Sequence, residues 1–334
     1  MSSTVSEQPV RPTRPRFKFS VLGPLLALVL LVLLGAMLNA NFLTLGNVMN
    51  VVARASSIGV IAIGATFVIT SGGLDLSVGS MAAFVAGLTI IIMNAAVPVL
   101  GTGLVVVGLG MLAALVVGAA GGAANGILVT AGRIEPFIVT LGTLGIFRAL
   151  ITFLANGGTL NLNFQVADAY GPVYAGNILG VPVPIIVFAV IAIASEVVMR
   201  RTKFGRHAAA IGSNEHVARY SAIKVDRVRL LTYVLQGAFV GIATILYVPR
   251  FGSANSSTAV LWELQAIAAV IIGGTMLKGG FGRIWGTVVG VIILELIGNI
   301  LNLQSVISPY LNQAFQGAII IVAVLLQRSR KVGD

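Results

Sequence analysis

Residues 20–39 read SVLGPLLALVLLVLLGAMLN, twenty positions without a charged side chain. A helix of about 20 apolar residues spans the hydrocarbon core of a bilayer. Nine more apolar stretches follow, at 48–70, 77–95, 99–121, 136–155, 181–199, 230–249, 262–278, 285–301 and 309–327. Charged residues make up 9% of the chain, against about 25% in soluble domains. So few charges cannot cover a water-soluble globule of this length, and lipid must be the solvent for much of the surface. The expected fold is an all-α integral membrane protein, a polytopic bundle of about ten transmembrane helices. The eighth stretch is short and runs into GGTMLKGGFG at 273–282. A broken or re-entrant helix near 273–283 is therefore the alternative to a full span there.

The basic residues test that count. With the N-terminus inside, the inner segments are 1–19, 71–76, 122–135, 200–229, 279–284 and 328–334. Together with Lys278 they hold 18 of the 21 Lys and Arg residues. The outer segments hold Arg250 alone, and Arg54 and Arg148 fall within spans. This asymmetry follows the positive-inside rule. It sets an expected order: a cytoplasmic tail at 1–19, a transmembrane domain at 20–327 and a cytoplasmic tail at 328–334. The domain carries a large inner loop at 200–229 and an outer loop at 156–180. The tail MSSTVSEQPVRPTRPRFKF is polar and Pro-rich, and the apolar run behind it lacks a small-residue cleavage site. It reads as a tail before a first span, not as a cleaved signal peptide. The net charge of +11 is a topological signal and not a nucleic-acid patch.

Several chemistries are excluded. The chain has no cysteine and two histidines, so disulfides and thiolate metal sites are impossible and a histidine metal site is not expected. It holds no GxxxxGK[ST] phosphate loop, no Gly-x-Ser-x-Gly elbow and no His-Glu-x-x-His. Energy for any driven work must come from another chain or an ion gradient.

Forty glycines suit close helix packing. Gly118, Gly122 and Gly126 form one small-residue row, and Gly282, Gly286 and Gly290 another. The stretch TSGGLDLSVGS at 70–80 places Asp75 between two apolar runs. Gly72 and Gly73 end one helix, and Asp75 or Ser77 can cap the next. In the basic loop, Ser213 or Asn214 can cap a short helix with Glu215 in its first turn and Arg219 toward its end. Gly205 and Gly212 punctuate its approach.

These blocks together resemble the membrane permease subunits of bacterial ABC importers for pentoses and hexoses. The resemblance runs through NFLTLGNVMNVV (41–52), TSGGLDLSVGS (70–80), FIVTLGTLGIFRAL (137–150), TKFGRHAAAIGSNEHVARYSAIKVDRVR (202–229) and ELQAIAAVIIGGTMLKGGFGRIWGT (263–287). It implies a non-catalytic translocation subunit in the bacterial inner membrane. The implied partners are a separate ABC ATPase subunit that holds ATP and Mg, a periplasmic sugar-binding protein, and a second permease subunit, identical or homologous. By the same resemblance Phe204, Gly205, Arg206, Gly212, Asn214 and Glu215 lie in the loop that couples to the ATPase. No cofactor is expected in this chain itself. Gln265 stands where the pattern has Asp, and Arg54 and Glu135 depart from it as well.

Intramembrane polar residues are functional candidates by default. The expected pathway or gate set is Gly73, Asp75, Ser77, Arg148, Glu263 and Gln265. Arg148 is expected to face Asp168 of the outer loop. That loop, polar and Asn-rich, is expected to meet the binding protein. Two rival readings remain at this point. One is an ion-coupled secondary transporter using Asp75, Glu263 or Glu295. The other is an ABC permease for branched-chain amino acids or nucleosides.

Overall fold

A computed structural model describes residues 19–304, with isolated positions 314, 317 and 318. The expected tenth span, 309–327, lies outside these residues save for the isolated positions. The described chain is built from helices: α1 (Phe19–Leu38), α2 (Leu45–Thr70), α3 (Val78–Leu100), α4 (Leu104–Thr130), α5 (Pro136–Leu154), α6 (Phe164–Tyr170), α7 (Pro172–Ala175), α8 (Val183–Arg201), α9 (Lys203–Ser213), α10 (Glu215–Tyr220), α11 (Val225–Phe251), α12 (Trp262–Ile272) and α13 (Ile284–Gln304). Four short strands join them: β1 (Thr159–Asn161), β2 (Asn177–Ile178), β3 (Val181–Pro182) and β4 (Ser253–Asn255). Among the described residues seven helices, α2, α3, α4, α5, α8, α11 and α13, are long and apolar enough to cross a membrane.

This corrects the eighth predicted span. Helix α12 has 11 residues, or about 16 Å at 1.5 Å per residue, roughly half the hydrocarbon thickness. Gly273 and Gly274 close it, and the chain stays non-helical to residue 283. Positive φ at Gly274, Gly279 and Gly280 accounts for the break, since these backbone conformations disfavour any side chain. The fourth span is also shifted: α4 extends to Thr130, past the predicted end at 121.

Composition decides which helix lies inside. In α2 small residues dominate one stretch (Ala53, Ala55, Ser56, Ser57, Gly59, Ala62, Gly64, Ala65, Thr66), and all of them are buried. Lipid gives helices no hydrophobic reason to associate, so close approach of small residues supplies the contact. The Leu- and Val-rich α1 instead leaves Leu26, Val29, Leu30 and Leu33 exposed. Hydroxyls in the buried helices return to their own backbone: Thr66 Oγ1 donates to the Ala62 carbonyl at 2.9 Å and Thr244 Oγ1 to that of Val240 at 2.9 Å. Backbone and side chain are thereby satisfied without water.

The predicted glycine rows are packing seams within this chain, except that Gly282 lies before α13 and meets Thr70 of α2. Side chains at Gly118 and Gly122 would strike the backbone of Gly237 and Tyr233, so α4 lies directly on α11. Gly286 and Gly290 likewise lie on the backbone of Gly273 and Ala269, holding α13 against α12. At the opposite end from α9 and α10, β1 pairs antiparallel with β4, with Leu160 opposite Ala254.

Candidate functional site

The basic loop forms two short helices where one was expected. Thr202 caps α9, its hydroxyl oxygen accepting from the Gly205 amide at 3.4 Å. Asn214, not Ser213, caps α10: its Oδ1 accepts from the Val217 amide at 3.1 Å. Ala208, Ile211, Ala218, Val225 and Val228 form a small apolar core beneath the pair. Phe204 stacks on Phe67 of α2 with ring centroids 5.9 Å apart, and Gly205 rests on the Met199 backbone. These two residues therefore anchor the element. Arg206 and Asn214 are exposed, and so are Val217 and Tyr220, the latter at 92%.

Glu215 is the centre of a charged network. Its Oε1 accepts from Arg219 Nη2 at 2.9 Å and its Oε2 from Arg229 Nη2 at 2.8 Å. Arg219 Nη2 also reaches Asp226 Oδ1 at 2.8 Å. The Arg229 hydrogen bond, more than any other cause, holds the Glu215 carboxyl below the usual glutamate range. Residues 215, 219, 226 and 229 thus tie α10 to the start of α11. The role of Arg229 and Asp226 was not read from sequence, because the chain must turn at 221–224 before they come back onto α10.

The Asp75 site is buried, with Asp75 4% exposed and Ser77 and Asn125 at 0%. Asp75 Oδ1 accepts from the Ser77 amide at 2.9 Å and from the Ser77 hydroxyl at 2.7 Å. Asn125 Nδ2 donates to Ser77 Oγ at 2.8 Å. Tyr233 donates its hydroxyl to the Leu74 carbonyl at 3.1 Å, and a side chain at Gly73 would meet that hydroxyl. The expected helix cap is corrected: Ser77 occupies the N-cap of α3 without a side-chain capping bond. The carboxylate instead folds the 71–77 turn and docks it on α4 through Asn125. The lone Asn in AAGGAANGIL was the available sequence signal for that partner.

Glu263 lies in the first turn of α12. Its carboxylate sits against Gly79, as does the Ala259 carbonyl, so the first turns of α12 and α3 meet. Arg148 interacts electrostatically with Glu263 and donates from Nη1 to the Ser256 and Thr258 carbonyls, both at 2.7 Å. The expected pairing with Asp168 is therefore wrong: the loop before α12 offers free carbonyls nearer the guanidinium. Arg148 also borders an open groove along α5 with Gly145, Ala149 and Thr152. Gln265 is not part of this cluster. It lines a small cavity with Ala55, Ile58, Val291, Leu294 and Glu295. Arg54 and Arg250 face Glu295 electrostatically. No group of three or more metal-ligating side chains occurs among the described residues.

The family model described as "Branched-chain amino acid transport system / permease component" matches residues 47–324. The ribose import permease protein RbsC of Escherichia coli (strain K12) is 36% identical over 308 residues, covering 92% of this chain and 93% of that one. RbsC of Bacillus subtilis (strain 168) is 39% identical over 318 residues, with the same coverage of 92% and 93%. The D-allose transport system permease protein AlsC of Escherichia coli (strain K12) is 33% identical over 302 residues, covering 90% and 89%. Helices, apolar character and these matches agree: the chain is a multi-pass membrane protein and belongs to the family of ABC-importer permease components, alongside sugar-import permeases.

Proposed function

We propose that the chain is the translocation subunit of an ATP-binding-cassette importer for a monosaccharide, a pentose or a hexose. The observation that carries this reading is the α9–α10 element. A capped, salt-bridged helix pair that exposes Arg206, Val217 and Tyr220 is suited to dock a partner protein, and an ion-coupled carrier has no use for one. Its position within the basic segment 200–229 agrees with a cytoplasmic ATPase, which would hold the ATP and Mg that this sequence has no motif to bind. The sugar permeases among the relatives, matched over nine-tenths of their length, support a sugar over an amino acid.

In this reading N- and C-termini are cytoplasmic and the membrane is the bacterial inner membrane. The β1–β4 end, with α6 and α7, receives a periplasmic sugar-binding protein. A second permease, a copy or a homologue, completes the route. Arg206, Asn214 and Glu215 contact the ATPase, while Phe204, Gly205 and Gly212 hold the element in place. Gly73, Asp75 and Ser77 shape a gate turn, and Arg148, Glu263 and Gln265 border the sugar route.

Purification with the ATPase and binding protein, followed by uptake in vesicles, tests the proposal. ATP-dependent uptake that is lost in Glu215→Ala and Arg206→Ala is the expected result. Uptake that needs no ATPase but collapses with an ion gradient would sink it.

A further inference from the structure

Three chain segments meet at the end of α9, largely backbone on backbone, with the Thr70 and Ser213 hydroxyls beside Gly282 and Gly280. The Gly280 amide donates to the Thr70 carbonyl at 2.9 Å, satisfying an acceptor left free at the end of α2. A Cβ on Gly212 would fall on that same carbonyl and on the Gly280 nitrogen. A Cβ on Gly279 would lie 2.9 Å from the Gly212 Cα and 3.0 Å from the Gly72 Cα. A Cβ on Gly282 would strike the Thr70 hydroxyl. The α2 end, the α9 end and the 276–282 turn are therefore in backbone contact.

From this joint two paths run into the bundle and meet again. One passes through the 71–77 turn, fixed by Asp75 and Asn125, to the first turn of α3. The other passes through α12 to Glu263. They close on each other where the Glu263 carboxylate rests on Gly79. Side chains can absorb a displacement by changing rotamer, but backbone packed on backbone cannot, so close-packed contacts of this kind transmit movement.

We infer that Thr70, Gly212, Gly279 and Gly282 form a positioning joint that converts movement of α9 and α10 into separation of Glu263 from Gly79. The inference rests on the reading of α9–α10 as the ATPase-docking element. It adds the turn at 276–282 to the transport machinery and gives the break after α12 a mechanical reason: the turn follows α9, and α12 and α13 move together on their shared Gly273–Gly286 and Ala269–Gly290 contacts.

The test uses the full complex of permease, ATPase and binding protein in vesicles. It reads ATP hydrolysis, complex recovery and uptake of D-ribose, D-allose and L-arabinose. G282A places a methyl against the Thr70 hydroxyl. It is expected to assemble and hydrolyse ATP while uptake falls about tenfold, within the usual range of coupling effects. T70A removes the obstructing hydroxyl, so G282A/T70A is expected to recover uptake. Wild-type uptake by G282A overturns the joint. So does a loss that only follows lost complex or lost hydrolysis, and so does failure of the double variant to recover. A wild-type chain that neither holds the ATPase nor needs ATP overturns the proposed function, and the joint with it. Defects confined to the variants concern the joint alone.

Discussion

Glu215 and Asp75 are carboxylates held in opposite ways. Glu215 is partly open to solvent and shared between two arginines on a helix pair at the edge of the molecule. Asp75 is buried, and its hydrogen-bond partners are the neutral groups of Ser77 and Asn125. The first arrangement depends on charge, which salt and pH weaken. The second depends on hydrogen bonds inside a dry bundle, where a lost partner leaves polar groups unsatisfied. The exposed network suits a surface that binds and releases a partner, and the buried one suits a turn that must keep its shape.

The largest effect expected from breaking this contrast is at Asp75. Asp75→Leu leaves the Ser77 amide without its acceptor and weakens the docking of Asn125, at about 1–3 kcal/mol for each orphaned group. Thermal unfolding in detergent should show it as the least stable of these variants. Asp75→Asn keeps an oxygen for the Ser77 amide and should lose clearly less; equal losses would mean that the charge, not the hydrogen bonding, matters. Asn125→Ala follows with about 1 kcal/mol, because Ser77 still bonds Asp75.

Glu215→Gln should lower stability by about 0–1 kcal/mol, as for exposed ion pairs, yet reduce ATP-driven uptake severalfold. A large unfolding effect with normal uptake would reverse the comparison. The smallest effect is in pH. Because the folded Glu215 carboxyl lies below its ordinary value of 4.5, its contribution is complete above that range and disappears as pH falls through the lowered value. Unfolding midpoints of the wild type and Glu215→Gln should therefore converge in acid. Divergence there would show that another group governs the α10–α11 link.

Much of this was readable beforehand. The apolar runs marked α2, α3, α4, α5, α8, α11 and α13, and the glycine spacing marked seams between helices. The breakers at 273–282 pointed to the interruption that α12 shows. Asn214 and Glu215 announced the start of α10 by residue type. The partners were less legible. Arg148 was matched with Asp168 by charge and loop placement, whereas its guanidinium is spent on two carbonyls before α12. Ser77 looked like a helix cap by position, but the nearer Asp75 carboxylate takes its amide and its hydroxyl.

Sequence alone determined the solvent, the helical class and local punctuation, because burial in lipid, glycine and proline act over a few residues at a time. Tertiary structure decided which carboxylate meets which donor and which glycines touch. Asp75 meets Asn125 across 50 positions, and Gly280 meets Thr70 only because the end of α2 and the chain after the broken α12 return to one end of α9. Such contacts depend on how whole helices pack, and no local pattern in the chain encodes that distance.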